Sequence, residues 1–191
     1  YHTGVLEVEQ DISLSEESLH DFVKNQSKGA YDTALIGKWH LGMSFFNKAG
    51  NLIRDNSIKG VQMADYSRPI PDGPVHRGFD TFYGTVSSPL TDWIYAYVKD
   101  DRIPIPPTKI LDKSTLPQHP YSIDCRLGML AEDFKHEEVD LVFLRKSQKF
   151  LKQHVEDTPN KPFFLYHSMQ AVHLPSFPSD QFNGKTNSGP H

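Results

Sequence analysis

Apolar and polar positions along the chain alternate between the spacing of strands and the spacing of helices. The runs 33–36 and 163–169 are short and carry no charged residue, which is typical of strands buried in a parallel sheet. From about Lys135 to Val155 apolar residues recur at helical spacing, with Lys, Glu and Gln opposite them. These apolar positions are Val139, Val142, Phe143, Phe150, Leu151 and Val155. Helices that feed strands predict an α/β fold.

A shorter helix is predicted before the first strand. Ser15 is a suitable N-cap, and the acidic residues 16–17 would fall in the first turn, where the helix dipole favours them. One apolar stripe follows, formed by Leu19, Phe22 and Val23. Gly29 ends this helix just ahead of the strand at 33–36.

The middle of the chain, from about Met43 to Pro120, has no long periodic segment. Gly, Pro, Asn and Asp interrupt it, and the proline-rich stretches 69–74 and 103–107 cannot continue a helix or a central strand. Between them, Trp93–Val98 is interpreted as one strand with aromatic faces. The tail, 178–191, is rich in Ser, Asn, Gly and Lys and predicts a loop.

Composition narrows the class of protein without naming its chemistry. Hydrophobic residues make up 37% of the 191 residues and charged residues 23%, as in ordinary soluble domains. The net charge of −4 argues against a nucleic-acid partner. One cysteine excludes an intrachain disulfide and a multi-cysteine zinc site. No apolar run approaches the roughly 18 residues that a membrane span requires.

Candidate chemistry follows the first buried strand, in the stretch 37–42. Side chains of an extended chain alternate between faces, so Lys38 and His40 are expected on one side and Trp39 on the other. In open α/β sheets ligands bind at the carboxyl ends of the strands. A lysine and a histidine at such an end favour an anionic substrate. The plainer interpretations are a solvated lysine and a histidine with a structural role.

A second histidine, His173, lies just beyond the strand at 163–169. If both strands belong to one parallel sheet, their carboxyl ends share an edge. We therefore expect Lys38, His40 and His173 to converge on one pocket. A zinc site built on His167 and His173 is a weaker alternative, because no acidic residue stands at a motif distance from them.

Four segments of the chain together match one known family. Gly29–Gly42 closely resembles the second signature of the type I, formylglycine-dependent sulfatases. The segments 76–84, 161–166 and 171–175 resemble three later family motifs and follow in the same order. The resemblance runs from about Tyr1 to His191. It implies an alkaline-phosphatase-like α/β fold, with a mixed or parallel sheet flanked by helices, and hydrolysis of sulfuric esters.

The resemblance also implies roles for three side chains. Lys38 and His40 match the family pair that contacts formylglycine and sulfate, and the family histidine at the position of His40 takes the proton that lets sulfate leave. His173 matches the histidine that faces the ester oxygen of the substrate. The predicted catalytic residues are thus Lys38, His40 and His173, with Lys38 and His173 also binding substrate. The implied partner is a small-molecule or carbohydrate sulfate monoester.

Other family motifs have no match in this sequence. The nucleophile motif is Cys-x-Pro-x-Arg, but Cys125 has no proline two places on and no arginine four places on. The pair Asp100-Asp101 lies downstream of Lys38, which is the wrong order for the paired metal aspartates of the family. Residues 1–191 are therefore interpreted as part of an N-terminal catalytic sulfatase domain, an incomplete fragment that is inactive alone. Calcium and formylglycine are expected in the intact enzyme, with their ligands and nucleophile outside this chain.

Two rival interpretations stay open from the sequence. One is a phosphoryl or phosphonate hydrolase of the same superfamily, in which the nucleophile would be Thr or Ser. The other is a catalytically dead homologue that acts as a binding module and lacks a modifiable nucleophile. The resemblance suggests a periplasmic, secreted or lysosomal location without choosing among them.

Overall fold

The computed structural model describes residues 19–122, 125–187 and 189. Three α-helices lie in this part of the chain: α1 (Leu19–Gln26), α2 (Ile58–Met63) and α3 (Val139–Asp157). The strands are β1 (Asp32–Lys38), β2 (Thr81–Thr85), β3 (Ile94–Tyr95), β4 (Val98–Lys99), β5 (Lys109–Ile110), β6 (Met129–Leu130) and β7 (Phe163–Ser168). Short 3₁₀ turns occupy Pro74–His76, Lys113–Thr115 and His136–Glu138.

The main sheet has four strands in the order β4-β2-β1-β7. β1 runs parallel to both β2 and β7, whereas β4 is antiparallel to β2. A second, three-stranded sheet has the order β3-β6-β5. The mixed sheet with flanking helices confirms the predicted α/β fold class.

Helix α3 covers one face of the main sheet and contacts β1, β2 and β7. Its apolar side is anchored by Val139 and Phe143, which are almost completely buried. The spacing of apolar residues predicted this helix over 135–155, and the structure forms it over Val139–Asp157 after the 3₁₀ turn at His136–Glu138. The amphipathic pattern therefore identified the element correctly and missed its start by one turn.

The short first helix is confirmed from Leu19 onward. Gly29, which the sequence predicts as its end, adopts a left-handed conformation with φ of 77°, as residues that follow a helix commonly do. The predicted N-cap Ser15 and the acidic residues 16–17 lie outside the described residues.

The single strand predicted at Trp93–Val98 is wrong. Ile94–Tyr95 pairs with β6, whereas Val98–Lys99 pairs with β2, so the segment crosses from one sheet to the other. Tyr97, at the crossing, stacks on Tyr83 of β2 with 5.4 Å between ring centroids. Burial of aromatic rings at the junction of two sheets, rather than pairing along one strand, explains the apolar pattern.

Strand β7 is less buried than its apolar sequence predicts. Tyr166 is 51% exposed and Phe163 is 42% exposed. Within the described residues β7 is the last strand of the sheet, so one of its edges has no strand partner there. Parallel strands are usually covered on both sides, and the position of β7 at the edge is the physical reason for the difference.

Candidate functional site

The carboxyl ends of β1, β2 and β7 meet at one edge of the main sheet, because the three strands are parallel. Lys38 is the last residue of β1, and Ser168 is the last residue of β7. His173 lies on the turn that follows β7. The sheet therefore places the three predicted site residues at the edge where ligands of open α/β sheets bind.

Two glycines allow the strands to approach closely at this edge. A Cβ atom on Gly37 would lie 1.8 Å from the carbonyl oxygen of Ser168, and one on Gly84 would lie 1.7 Å from the carbonyl oxygen of Gly37. Gly37 also has φ of 132°, a conformation that side chains rarely adopt. Only glycine fits at this point of the β1–β7 pairing, one residue before Lys38.

The backbone beyond β1 is tied to the chain beyond β2. The N–H of Trp39 donates to the carbonyl of Thr85 over 3.1 Å, and the N–H of His40 donates to Val86 over 2.9 Å. The buried indole of Trp39 donates to the carbonyl of Gly42 over 2.8 Å. Trp39 is thus a packing residue, and it fixes the loop that carries His40.

His40 itself has φ of 61°, in the left-handed region that is uncommon outside glycine. The alternation of faces expected for an extended chain therefore does not apply to this residue. Non-glycine residues in such conformations cluster at functional sites, where the surrounding contacts hold them. The hydrogen bond to Val86 is one such contact.

Electrostatics link His40 to both other predicted site residues. Burial lowers the pKa of His40, and the charges of Lys38 and His173 lower this pKa further. Burial also lowers the pKa of the half-buried Lys38. His40 is consequently a neutral imidazole at pH 7, able to accept a proton. The structure thus brings His40 within electrostatic reach of a cation from its own loop and a histidine from the turn after β7.

His173 is exposed, but its turn is ordered by hydrogen bonds. Its backbone N–H donates to the carbonyl of Gln170 over 2.9 Å, and its Nδ1 is bonded to the carbonyl of Leu174. Because a carbonyl can only accept, Nδ1 carries the proton of the neutral ring and Nε2 is then an acceptor. His173 can donate through Nε2 only as an imidazolium.

Lys38 and His173 line two different cavities. Lys38 lies in a cavity of about 420 Å³ with Trp39 and the β7 residues Phe164 and Tyr166. His173 lies in one of about 220 Å³, formed with the start of α3 and the chain from 169 to 182. These two side chains therefore line separate depressions at one edge of the sheet, and a single pocket shared by all three residues stays a prediction. The group electrostatically coupled to both is His40.

The described residues include no group of three or more His, Cys, Asp or Glu side chains that could hold a metal ion. The zinc alternative is not supported, because neither His167 nor His173 belongs to such a group. His167 Nδ1 is hydrogen-bonded to the hydroxyl of Ser147 on α3 over 2.8 Å. Cys125 does not fit the nucleophile position either. Its side chain is buried, and burial raises the pKa of its thiol.

Sequence reasoning missed the polar groups that support the turn of His173. The carboxylate of Asp140 accepts the backbone amides of Gln170 and Ala171. The hydroxyl of Ser88 donates to the side chain of Gln170. An acidic residue in the first turn of a helix is ordinary, so nothing in the sequence distinguishes Asp140 from a residue that only complements the helix dipole.

Comparison with known proteins assigns the family. The sequence profile of the sulfatases matches residues 1–190. The chain belongs to the sulfatase family. This match covers nearly the whole chain and agrees with the four motifs that carry the resemblance.

Two individual proteins are similar to this sulfatase chain. An N-acetylgalactosamine-6-O-sulfatase of Bacteroides thetaiotaomicron is 27% identical over 179 residues, which cover 85% of this chain and 34% of that protein. The second is a solved structure, labelled BT33336S-sulf, whose title concerns the metabolism of multiple glycosaminoglycans by Bacteroides thetaiotaomicron. It is 21% identical in sequence to this chain, with a TM-score of 0.62. It covers 94% of this chain and 38% of the solved chain, and at this identity it establishes the fold alone.

The sulfatase chain thus spans about a third of the length of the curated relative that it matches. In the part that the structure describes, no helix is long and apolar enough to cross a membrane.

Proposed function

We propose that this chain forms part of the active site of a sulfuric ester hydrolase, with Lys38, His40 and His173 as its contribution. The activity is that of the whole protein, because the chain spans only part of the length of its relatives. The observation that carries the proposal is the parallel pairing of β1 with β2 and β7, because it sets Lys38 and the turn of His173 at one carboxyl edge. His40 follows Lys38 at this edge and is electrostatically coupled to both residues. Titratable groups perturbed by specific partners are enriched at functional sites.

Lys38 supplies positive charge to the sulfate. A sulfate monoester carries a negative charge on its non-bridging oxygens, and a cation at the ligand-binding edge of the sheet attracts it. Because Lys38 is half-buried, its charge is less screened than that of a surface lysine. Such a preorganised charge stabilises the transition state when it acts where charge develops.

The two histidines differ in their proton chemistry. The lowered pKa keeps His40 neutral at pH 7, so it can accept a proton from a neighbouring group or water. His173 donates through Nε2 only when it is protonated, because Nδ1 is engaged with Leu174. We assign His40 to proton acceptance and His173 to hydrogen bonding or protonation of the leaving ester oxygen.

Calcium and formylglycine, which family membership implies, do not fit the described residues. No cluster of ligands large enough for a metal ion is present among them. Cys125 is buried and is not followed by the proline and arginine of the nucleophile motif. The nucleophile and the metal ligands are therefore assigned to parts of the whole protein other than these residues.

We further propose a sulfated carbohydrate as the substrate. The curated relative is named for a 6-O-sulfated amino sugar, which supports a carbohydrate over an aryl sulfate. In this chain, the segment 43–120, with its long irregular loops, is the part expected to determine specificity, since binding residues are concentrated on loops held by a rigid scaffold.

The test is turnover by the whole protein of an aryl sulfate, a 6-O-sulfated amino sugar and an aryl phosphate. We expect hydrolysis of the sulfates and a loss of about 100- to 1,000-fold in kcat for Lys38→Ala, as is usual when one electrostatic group is removed. The variant Lys48→Ala, at an exposed lysine, is the matched control and should keep native turnover.

The outcomes separate the rival functions. Hydrolysis of the phosphate in preference to the sulfates would support the phosphatase alternative, and no turnover of any ester would support a binding module. Native kcat in Lys38→Ala would remove the proposed role of Lys38 while leaving the family assignment intact.

A further inference from the structure

The turn that carries His173 has little packing of its own. Residues 171–174 are exposed, and Val172 is 75% exposed. An exposed turn has many accessible conformations, and fixing its residues in one of them costs conformational entropy. A histidine that acts on one oxygen atom must nevertheless be held in place, and in this turn polar contacts rather than packing can do so.

Both carboxylate oxygens of Asp140 bind the start of this turn. Oδ1 accepts the backbone N–H of Gln170 over 2.7 Å, and Oδ2 accepts that of Ala171 over 2.8 Å. Charge-assisted hydrogen bonds of this length are about twice as strong as neutral ones. Two consecutive amides held by one carboxylate fix the direction of the backbone as well as its position.

Asp140 is itself rigidly placed. It lies in the first turn of α3, between the buried Val139 and the rest of a helix that packs on three strands of the main sheet. Its carboxylate also lies at the positive end of the helix dipole, a favourable position for an acidic side chain. The carboxylate therefore anchors the turn to α3.

Gln170 connects this anchor to His173. Its carbonyl accepts the N–H of His173 over 2.9 Å, and its buried side chain lies 3.5 Å from both the Ser88 hydroxyl and the His173 carbonyl. The chain of contacts runs from Asp140 through the backbone of Gln170 to the backbone of His173.

We propose that Asp140 is a positioning residue of this sulfatase, which holds the turn 170–173 so that His173 meets the ester oxygen of the substrate. The proposal rests on the proposed function of His173. Both carboxylate oxygens of Asp140 are engaged by backbone amides, so it acts on His173 through the backbone of the turn.

The expected effect is on catalysis more than on substrate binding. Misplacement of a catalytic group by about 1 Å can cost on the order of 100-fold in rate. Asp140→Ala in the whole protein should lower kcat about 10- to 100-fold with KM changed less than threefold. Asp140→Asn keeps an acceptor for one amide only and should recover part of the lost kcat.

Asp80 provides a matched control. Its carboxylate also accepts a backbone amide across the fold, that of Thr33 over 2.9 Å, together with the Thr33 hydroxyl over 3.1 Å. This contact lies at the amino end of β1, away from His173. Asp80→Ala should lower the melting temperature to a similar extent as Asp140→Ala and leave kcat and KM near native values.

Amide hydrogen exchange in the whole protein tests the positioning separately from the activity. Exchange at Gln170, Ala171 and His173 should accelerate at least tenfold in Asp140→Ala and stay native in Asp80→Ala. Native exchange at these amides in both Asp140→Ala and Asp140→Asn would overturn the inference, whatever the enzyme does.

The kinetic outcomes distinguish the inference from the proposed function. If His173→Ala impairs turnover but both Asp140 variants keep native kcat, Asp140 is only structural and the inference fails. If His173→Ala itself turns over normally, the proposed role of His173 fails, and the positioning of Asp140 has no catalytic purpose. Equal loss of kcat in Asp80→Ala would also contradict the inference, since it would trace the effect to general destabilisation.

Discussion

Gly37 of β1 and Ser168 of β7 lie so close that a Cβ atom on Gly37 would stand 1.8 Å from the Ser168 carbonyl oxygen. Contact at this distance is impossible without separating the two strands. The pair lies at the carboxyl edge of the sheet, next to Lys38. The close approach of β1 and β7 is thus part of what places Lys38 and the turn after β7 at one edge.

Gly37→Ala is expected to lower the free energy of unfolding by more than the strain of a positive φ alone would, because the added Cβ also collides with the Ser168 carbonyl. Gly29→Ala is the matched control, because Gly29 also has a positive φ, 77°, but no atom lies within 4 Å of its added Cβ. The control should lose about 1–2 kcal/mol of unfolding free energy. Urea denaturation of the two variants measures the difference, and equal losses would show that the contact with Ser168 relaxes at little cost.

The pKa of His40 should rise when Lys38 is removed. Burial is the largest cause of its lowered pKa, followed by the charges of Lys38 and His173. Lys38→Ala removes one of these charges, so the His40 pKa should move back toward its ordinary value near 6.5. NMR titration of the His40 ring protons measures the change. An unchanged pKa in Lys38→Ala would mean that the two groups are not coupled.

The buried His136 should make the fold sensitive to mild acid. Its pKa is lowered to about 4 because burial penalises the charged form, and its Nε2 has no hydrogen-bond partner among the described residues. The unfolded chain binds a proton near pH 6.5, so stability is complete above that pH and falls as the pH drops toward 4. The loss from this group alone is about 3 kcal/mol.

His136→Phe isolates this contribution. A phenyl ring can take the place of the imidazole among the rings of Tyr95, Phe134 and Phe177. The unfolding free energy of the variant should fall less between pH 6.5 and 4 than that of the wild type. Above pH 7 the two proteins should differ by a constant amount. Parallel curves over the whole range would contradict the assignment to His136.

A charged cluster around Asp32 lies at the amino end of β1 and β7, opposite the edge that carries Lys38. Asp32 accepts from Thr158 over 3.2 Å, pairs with His154 over 3.0 Å and is bonded to Lys161. Burial raises its pKa, but the hydrogen bonds and charges of these partners outweigh burial and hold the pKa below 3.8. This stabilisation is present above pH 3.8 and is lost as the pH falls through the lower, folded-state pKa.

Lys161→Ala is therefore expected to cost about 1 kcal/mol at pH 7, as for a hydrogen bond to a charged group that is partly exposed. Lys152→Ala breaks an exposed pair with Glu156 on α3 and should change stability by less than about 0.5 kcal/mol. Thermal denaturation at pH 7 and pH 3 compares them. The stability that Lys161→Ala loses relative to the wild type should be smaller at pH 3 than at pH 7. A larger loss at pH 3 would disagree with the lowered pKa of Asp32.

The 191-residue chain by itself should not hydrolyse an aryl sulfate. It contributes Lys38 and His40 but neither a nucleophile in the family motif nor a described metal cluster. Turnover by the isolated chain, measured beside Cys125→Ala, is the check. Activity that disappears in Cys125→Ala would place the nucleophile at this buried cysteine and overturn our interpretation of it.

Local patterns along the sequence determined the long elements. The amphipathic spacing of α3 and the apolar runs of β1 and β7 are set by residues that are neighbours in the chain, so the sequence alone was sufficient to predict them. The motif at 37–42 likewise identified Lys38 and His40 as candidates and the sulfatases as the family. Their catalytic roles, and that of His173, stay predictions.

Only the tertiary structure decided the remaining features. The two-residue strands β3 and β4 exist because separate partners hydrogen-bond to them, and no spacing within 93–98 encodes that choice. The exposure of β7 follows from its place in the sheet order. The hydrogen bond from the Gln170 amide to Asp140 joins residues 30 positions apart. Such a contact leaves no periodic signal in the sequence, because it depends on where α3 and the turn after β7 meet in space.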